Sequence, residues 1–275
     1  MKKLVFGAAA LATVALAEPA PREAEALLAW RPGQPGVEWA ELPLLGRGEL
    51  GAIKLVVARI DPAVTRLGLV WGFDASSDRP TWTIASAETA SVALNAGMFV
   101  DALPWGWVVI DGHERLAPGT GPLSSALIGL NDGSLHWVDG DDVSAWRRRK
   151  DVTFAFQSYP TLLTADGRLP QALSEPGSIN LTHRDARLAI GLDRDGRLLV
   201  VLTRLDADIP GFDRIPLGLT VPEMAAVMGG LGARQAMLLD GGISAQLAVR
   251  DSNGAVQQWP GLRKVPLGLV ARYVP

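Results

Sequence analysis

The sequence predicts an α+β domain with a mixed, mainly antiparallel sheet and a few packed helices. Three features carry that reading. Apolar runs of strand length recur from about Gly51 onward, Asp-Gly pairs punctuate them, and helix signals are few. A length of 275 residues suits one large domain, or two small ones, with a real hydrophobic core.

The strands come first. Ile53, Leu55 and Val57 alternate with other residues as in a half-buried strand. Further runs are 67–71, 92–95, 107–110, 126–130, 135–138 and 152–156, followed by 188–192, 198–203, 236–239, 245–249 and 267–273. The pairs Asp111-Gly112, Asp132-Gly133, Asp166-Gly167 and Asp195-Gly196 tolerate positive φ and favour hairpins, the clearest joining 188–192 to 198–203. A first helix is expected over Pro80 to Thr89. A better one opens at Thr220, where Thr220-Val221-Pro222-Glu223 reads as a capping box. Met224, Val227 and Met228 give it an apolar face, and Gly229-Gly230 and Gly232 end it.

Upstream, Lys2 and Lys3 precede an uncharged apolar stretch from Leu4 to Leu16, with small residues around Ala15-Leu16-Ala17. This has the form of a signal peptide over 1–17, and the stretch is short for a membrane span. Residues 18–50 are rich in Pro, Gly, Ala and Glu and read as a lead-in, with a short helix over Arg22 to Trp30 and breaks at Pro32, Pro35 and Pro43. The main domain is then 51–275, and the expected location is the periplasm or the exterior.

Composition removes several function classes. Hydrophobic residues make up 48% and charged residues 20%, as in a folded globular protein. The net charge is −3 with no basic stripe, which argues against nucleic acid as a partner. No cysteine is present, so there is neither disulfide nor thiolate chemistry. His113, His136 and His183 lack zinc-ligand spacing, and Asp139, Asp141 and Asp142 lack the rest of a calcium loop and read as a solvated turn. No cofactor is predicted, and a divalent cation is left open. No Gly-x-Ser-x-Gly elbow occurs.

The sharpest chemical signal is Leu238-Leu239-Asp240-Gly241-Gly242-Ile243-Ser244. An acid and two glycines end a strand, where backbone N–H groups can approach an anion and Asp240 can act as base, orienter or cation ligand. The same residues also suit a plain hairpin turn. A second signal is Asn95-Ala96-Gly97-Met98-Phe99, where Asn95 can bind a sugar hydroxyl or simply hold a loop. The third is His183-Arg184-Asp185-Ala186-Arg187: Arg suits bidentate phosphate contact, and a solvent-facing edge with a local Asp185 ion pair is equally open. Trp105 and Trp107 suit sugar stacking or, more simply, packing.

Taken together and in this order, Asn-Ala-Gly-Met-Phe, Arg-Leu-Ala-Ile-Gly, Thr-x-x-Glu, Leu-Gly-Ala and Leu-Asp-Gly-Gly-Ile-Ser resemble the phosphodiester glycosidase family over roughly Ile53 to Tyr273. The resemblance implies hydrolysis of a sugar-1-phosphodiester between the anomeric carbon and the phosphate oxygen, with the site at the strand ends. Carried over by matching position, it implies Asp240 and Glu223 as catalytic groups and Asn95, Arg187, Gly241, Gly242 and Ser244 as substrate-binding groups. Glu223 is also the capping partner of Thr220. Two positions depart from the family pattern: Ile243 stands where a third Gly is usual, and Ala96 where a Gly is usual. A non-catalytic carbohydrate- or phosphoglycan-binding envelope protein on the same scaffold is the alternative reading.

Overall fold

Strands near the middle of the largest sheet are apolar at almost every position, because both of their faces are covered. The computed structural model describes residues 25–44, 53–175, 177, 179–206, 211 and 214–275. The expected signal peptide and the start of the lead-in lie outside the described residues. The largest sheet has seven strands, ordered Arg31–Pro32, Val37–Leu44, Ile53–Ile60, Leu198–Leu205, Leu188–Asp193, Ala233–Leu239 and Thr161–Leu163. All of these pairs are antiparallel.

Side chains alternate between the two faces of a strand. Val56, Ala58, Ile60, Leu188, Ile190, Val200 and Met237 enter the central core. Their neighbours Leu55, Val57, Ala189, Val201, Ala236 and Leu238 pack on the opposite side with Val221, Met224, Ala225 and Met228 of the helix Val221–Gly230. The strand at 53–60 is therefore covered on both faces, not half-buried as its alternation suggests.

Two five-stranded antiparallel sheets complete the central core. One is ordered Val256–Trp259, Leu247–Arg250, Val92–Asn95, Leu267–Tyr273, Thr65–Trp71. It contributes Leu67, Leu69, Leu94, Leu247, Val249, Leu267 and Leu269. The other is ordered Leu135–Asp139, Ser125–Leu130, Val152–Ser158, Val108–Ile110, His113–Leu116. It contributes Leu127, Phe154 and Phe156. A two-stranded ribbon, Met98–Val100 with Leu103–Trp105, follows the strand that ends at Asn95.

The protein is mainly β, with little helix among the described residues, so the helical half of the predicted class is weak. The capping box at Thr220 is present in full: the Thr220 hydroxyl accepts from Glu223 N–H, and the Glu223 carboxylate accepts from Thr220 N–H. The helix expected over Pro80 to Thr89 is a single 3-10 turn at Ile84–Ser86. Ile84 and Trp82 are buried there beneath the outer face of a five-stranded sheet, so tertiary packing, rather than helical periodicity, explains the apolar residues. Gly112, Gly133 and Gly196 adopt positive φ at three of the expected hairpin turns. The large sheet also takes in Val37–Leu44, a segment that composition assigns to the lead-in.

Gly191 marks how tightly the large sheet packs. A Cβ there would lie 2.5 Å from the Gln235 carbonyl oxygen and 2.9 Å from the Met228 methyl. Gly191→Ala is expected to cost about 1–3 kcal/mol, since neither the backbone nor the packed helix yields cheaply. An unchanged midpoint in urea or thermal unfolding would contradict that close approach.

Candidate functional site

The register of the large sheet brings the two motifs together. Leu188 faces Leu239 across an antiparallel pair, so continuing the two chains puts Arg187 beside Asp240. Asp240 follows the end of Ala233–Leu239, and Arg187 precedes the start of Leu188–Asp193. The Gly241-Gly242 bend then passes close over Ala186 and Asp185. Gly242 N–H donates to the Ala186 carbonyl at 2.8 Å. A Cβ on Gly241 would meet that same oxygen at 2.5 Å. One on Gly242 would lie 3.0 Å from an Asp185 carboxylate oxygen, at a φ of +55°. The glycines thus serve a close backbone crossing, and Gly242 N–H is spent on the fold instead of facing a bound anion.

The Asp-Gly-Gly bend is not a plain hairpin. Residues 240–246 carry the chain from the seven-stranded sheet to the strand Leu247–Arg250 of a five-stranded sheet. Asn95 fastens this crossing. Its Nδ2 donates to the Asp240 carbonyl at 2.8 Å, and its Oδ1 accepts from Gln246 N–H at 3.1 Å. Asp240 N–H donates to the Gly97 carbonyl at 2.8 Å. Asn95 is fully buried, so of its two sequence readings the geometry supports the one that holds a loop. Ala96 is buried too and stays out of the site, whereas Ile243 projects into solvent.

The Asp240 carboxylate remains partly exposed and meets Arg263, whose Nη2 donates to it at 2.8 Å. Arg263 Nε donates to the Ser244 hydroxyl at 2.6 Å. Ser244 is buried, so its contact is with Arg263 within the protein. Arg187 has two nitrogens on main-chain carbonyls: Nε on Leu219 at 2.9 Å and Nη2 on His183 at 2.6 Å. Its own N–H donates to the Thr203 hydroxyl at 2.7 Å. Asp185 accepts from Ala186 N–H at 2.8 Å and lies 3.8 Å from His183.

Two carboxylates here resist ionisation. Burial pushes the Asp240 pKa above the ordinary aspartate value; the Ser244 hydroxyl and Arg263 oppose this, and the nearby charge of Asp185 adds to it. Burial likewise raises Asp185, against the pull of Arg187, the Ala186 N–H and His183. Glu223 behaves differently. Burial pushes its pKa up, but the hydrogen bonds of Arg184 and of Thr220 N–H outweigh it, and the net shift is downward. Both Glu223 oxygens accept from Arg184, at 2.6 and 2.8 Å. It is placed as a helix cap and as the ion-pair partner of Arg184, the residue that precedes Asp185.

Of the sequence-selected residues, Asn95, Arg187, Asp240, Gly241, Gly242 and Ser244 gather at this crossing, and the Glu223 carboxylate is turned to Arg184. Sequence reasoning missed Arg263 and Gln246, and read Asp185 only as an ion-pair neighbour. Gln246 is buried, and its Oε1 accepts from Ile84 N–H at 3.0 Å. Asp185, two residues before Arg187, was the available signal, whereas Arg263 sits in a loop with no pattern around it. Trp107 is buried with its indole N–H on Glu114, and Trp105 stacks edge-on against Tyr159.

The raised pKa of Asp240 gives a stability test. In the window between the ordinary aspartate value, about 4, and the raised folded value, the native state holds more protons than the unfolded chain. Stability therefore falls as pH rises through that window. Asp240→Asn is expected to raise the unfolding midpoint at pH 7, and the gain should shrink on acidification to below the ordinary value. A midpoint lowered at pH 7, or a gain that persists at acid pH, would oppose it.

The model of the phosphodiester glycosidase family matches residues 88–272, which include Asn95, Asp185, Arg187, Asp240 and Arg263. Among curated proteins, none matches significantly. The catalytic domain of zebrafish N-acetylglucosamine-1-phosphodiester α-N-acetylglucosaminidase, auto-inhibited by its pro-peptide, is similar in fold, with a TM-score of 0.64 at 16% identity over 89% of this chain and 88% of that one. A hypothetical protein from Synechocystis gives 0.57 at 18% identity over 87% of this chain, which spans only 62% of that chain. A putative exported protein from Burkholderia pseudomallei K96243 gives 0.53 at 15% identity, over 81% and 74% of the two chains. With its family profile matched across most of its length, the chain belongs to the phosphodiester glycosidase family.

Proposed function

We propose that this chain is an exported hydrolase that cleaves a sugar-1-phosphodiester between the anomeric carbon and the phosphate oxygen. The observation that carries the reading is the pairing of two carboxylates whose pKa values burial raises, Asp240 and Asp185, with the guanidinium groups of Arg263 and Arg187 at one sheet crossing. Perturbed acids beside fixed cations suit proton transfer next to an anionic substrate. Export rests on the Lys2-Lys3 and apolar Leu4-to-Leu16 pattern. Among the described residues, no helix is long and apolar enough to cross a membrane.

The chemistry divides between these groups. Arg263 is half-exposed and already holds an oxyanion, the carboxylate of Asp240, so its guanidinium is placed to receive a phosphate oxygen as well. Arg187 is held by two carbonyls and adds a fixed positive charge. The sugar C1–O bond breaks through an oxocarbenium-like state, and the phosphomonoester departs with the bonding electrons. Water supplies the new bond to C1. Asp240 accepts its proton, with Asp185 the nearby acid whose charge tunes Asp240. Phosphate is a good leaving group, so little acid assistance is required. Glu223 has no vacant role in this scheme, because its carboxylate is engaged with Arg184 and the helix cap.

Hydrolysis of a sugar-1-phosphate methyl diester in ¹⁸O-water tests the bond assignment. Unlabelled methyl phosphate is expected, with the label entering the sugar. Label in the phosphate would mean P–O cleavage and overturn the reading. Asp240→Asn should lower kcat by about 10²–10⁴, the usual range for a lost proton-transfer group, while Glu223→Gln should act mainly through stability. Ligand binding without turnover in the wild type would favour the glycan-binding alternative.

A further inference from the structure

The charged groups at the crossing account for only one side of the region. Val100, Leu103, Ile243 and Leu262 are exposed to 48%, 50%, 44% and 54%, and they are four of the nine large hydrophobic side chains exposed among the described residues. Scattered apolar residues on a surface need no explanation, but a group beside a reaction centre does. Two of the four adjoin that centre. Leu262 N–H donates to the Ile243 carbonyl at 2.8 Å. The next residue, Arg263, holds Asp240 and lies 5.9 Å from the Phe99 ring. Val100 follows Phe99 and pairs with Leu103 across the two-stranded ribbon. Ile243 and Leu262 therefore form an apolar rim beside the Arg263–Asp240 pair, whereas Val100 and Leu103 lie on the ribbon face opposite Phe99.

A sugar ring is a poor occupant of that rim. Hydroxyls pressed against hydrocarbon lose their bonds to water, at about 1–3 kcal/mol each, with nothing in return. A phosphodiester has a second ester arm, and nothing in the chemistry requires that arm to be polar. Ile243 sharpens the point, because it puts a branched hydrocarbon side chain where the family motif has a glycine with none.

Resting on the reaction proposed above, we propose that this rim binds the alcohol arm of the substrate and that this alcohol is a hydrocarbon chain. The substrate class is then an alkyl- or prenyl-type diester of a sugar-1-phosphate. Ile243 and Leu262 are the specificity-determining residues. The carboxylates face the sugar, and Arg263 faces the phosphate between the two arms.

The test compares the methyl and octyl diesters of one sugar-1-phosphate, both kept below the micelle concentration. Partial burial of seven added methylenes should raise kcat/KM for the octyl ester by about tenfold or more. Ile243→Gly and Leu262→Ser should each lower the octyl-to-methyl ratio several-fold. Val256→Ser, an exposed apolar position beside the Gly254 turn at the far end of its hairpin, should leave the ratio unchanged. Turnover of both esters at equal kcat/KM would overturn the hydrocarbon-arm proposal and leave the reaction standing. If neither ester turns over, calorimetric binding separates the two ideas. Tighter binding of the octyl ester, weakened by Leu262→Ser, would keep the rim and sink the reaction; equal binding would sink the rim. Binding to phosphatidylcholine vesicles that Leu262→Ser abolishes, with no preference between the esters, would assign the rim to a membrane surface and overturn the proposal.

Discussion

The buried carboxamide of Asn95 joins two sheets at the point where Asp240 emerges. Both ends of the amide are used, one on the Asp240 carbonyl and one on the Gln246 N–H. Replacing it would strand two buried polar groups, at about 1–3 kcal/mol each. With its carbonyl held by Asn95 and its N–H by Gly97, Asp240 has its main chain fixed on both sides. Only the carboxylate is left to respond to Arg263 and to a ligand. Holding the backbone by buried groups and leaving the side chain partly wet gives precise placement without closing the site to solvent.

The same region is electrostatically strained. Asp240 and Asp185 both resist ionisation mainly because of burial, and Asp240 also feels the charge of Asp185 across the backbone crossing. Arg263 and Arg187 compensate in part. A more stable protein would replace one of the acids with an amide, so retention of both is a local conflict of the kind expected where chemistry is done. Glu223 shows the contrast. Its charge is fully answered by Arg184 and the helix cap, and its pKa falls.

Much of the fold could be read from sequence, for physical reasons that vary by element. Strands such as Val92–Asn95 and Leu267–Tyr273 are long apolar runs between turn residues, and their bounds are visible directly. The helix at Val221–Gly230 carries its start signal in Thr220 and Glu223 and its stop in glycine. Shorter strands, such as Thr161–Leu163 and Met98–Val100, exist only through their partners and give no periodic signal. The site was legible in part. Asp240 and Arg187 lie in strand-end motifs, but their neighbourhood is set by a register between segments about fifty residues apart. Arg263 belongs to an irregular loop, and its contacts with Asp240 and Ser244 are visible only in three dimensions. Glu223 carried two readings, because a cap motif and a catalytic acid look alike in one dimension, and its geometry is that of the cap.

The strand Val92–Asn95 sits between Leu247–Arg250 and Leu267–Tyr273, segments more than 140 residues further along the chain. Closing loops of that size precedes any contact energy they return, and such topologies fold slowly. No early, locally built fragment can contain the Asn95–Asp240 bond. The geometry of this crossing should therefore appear together with the last cooperative step of folding, so that partly folded chains lack it.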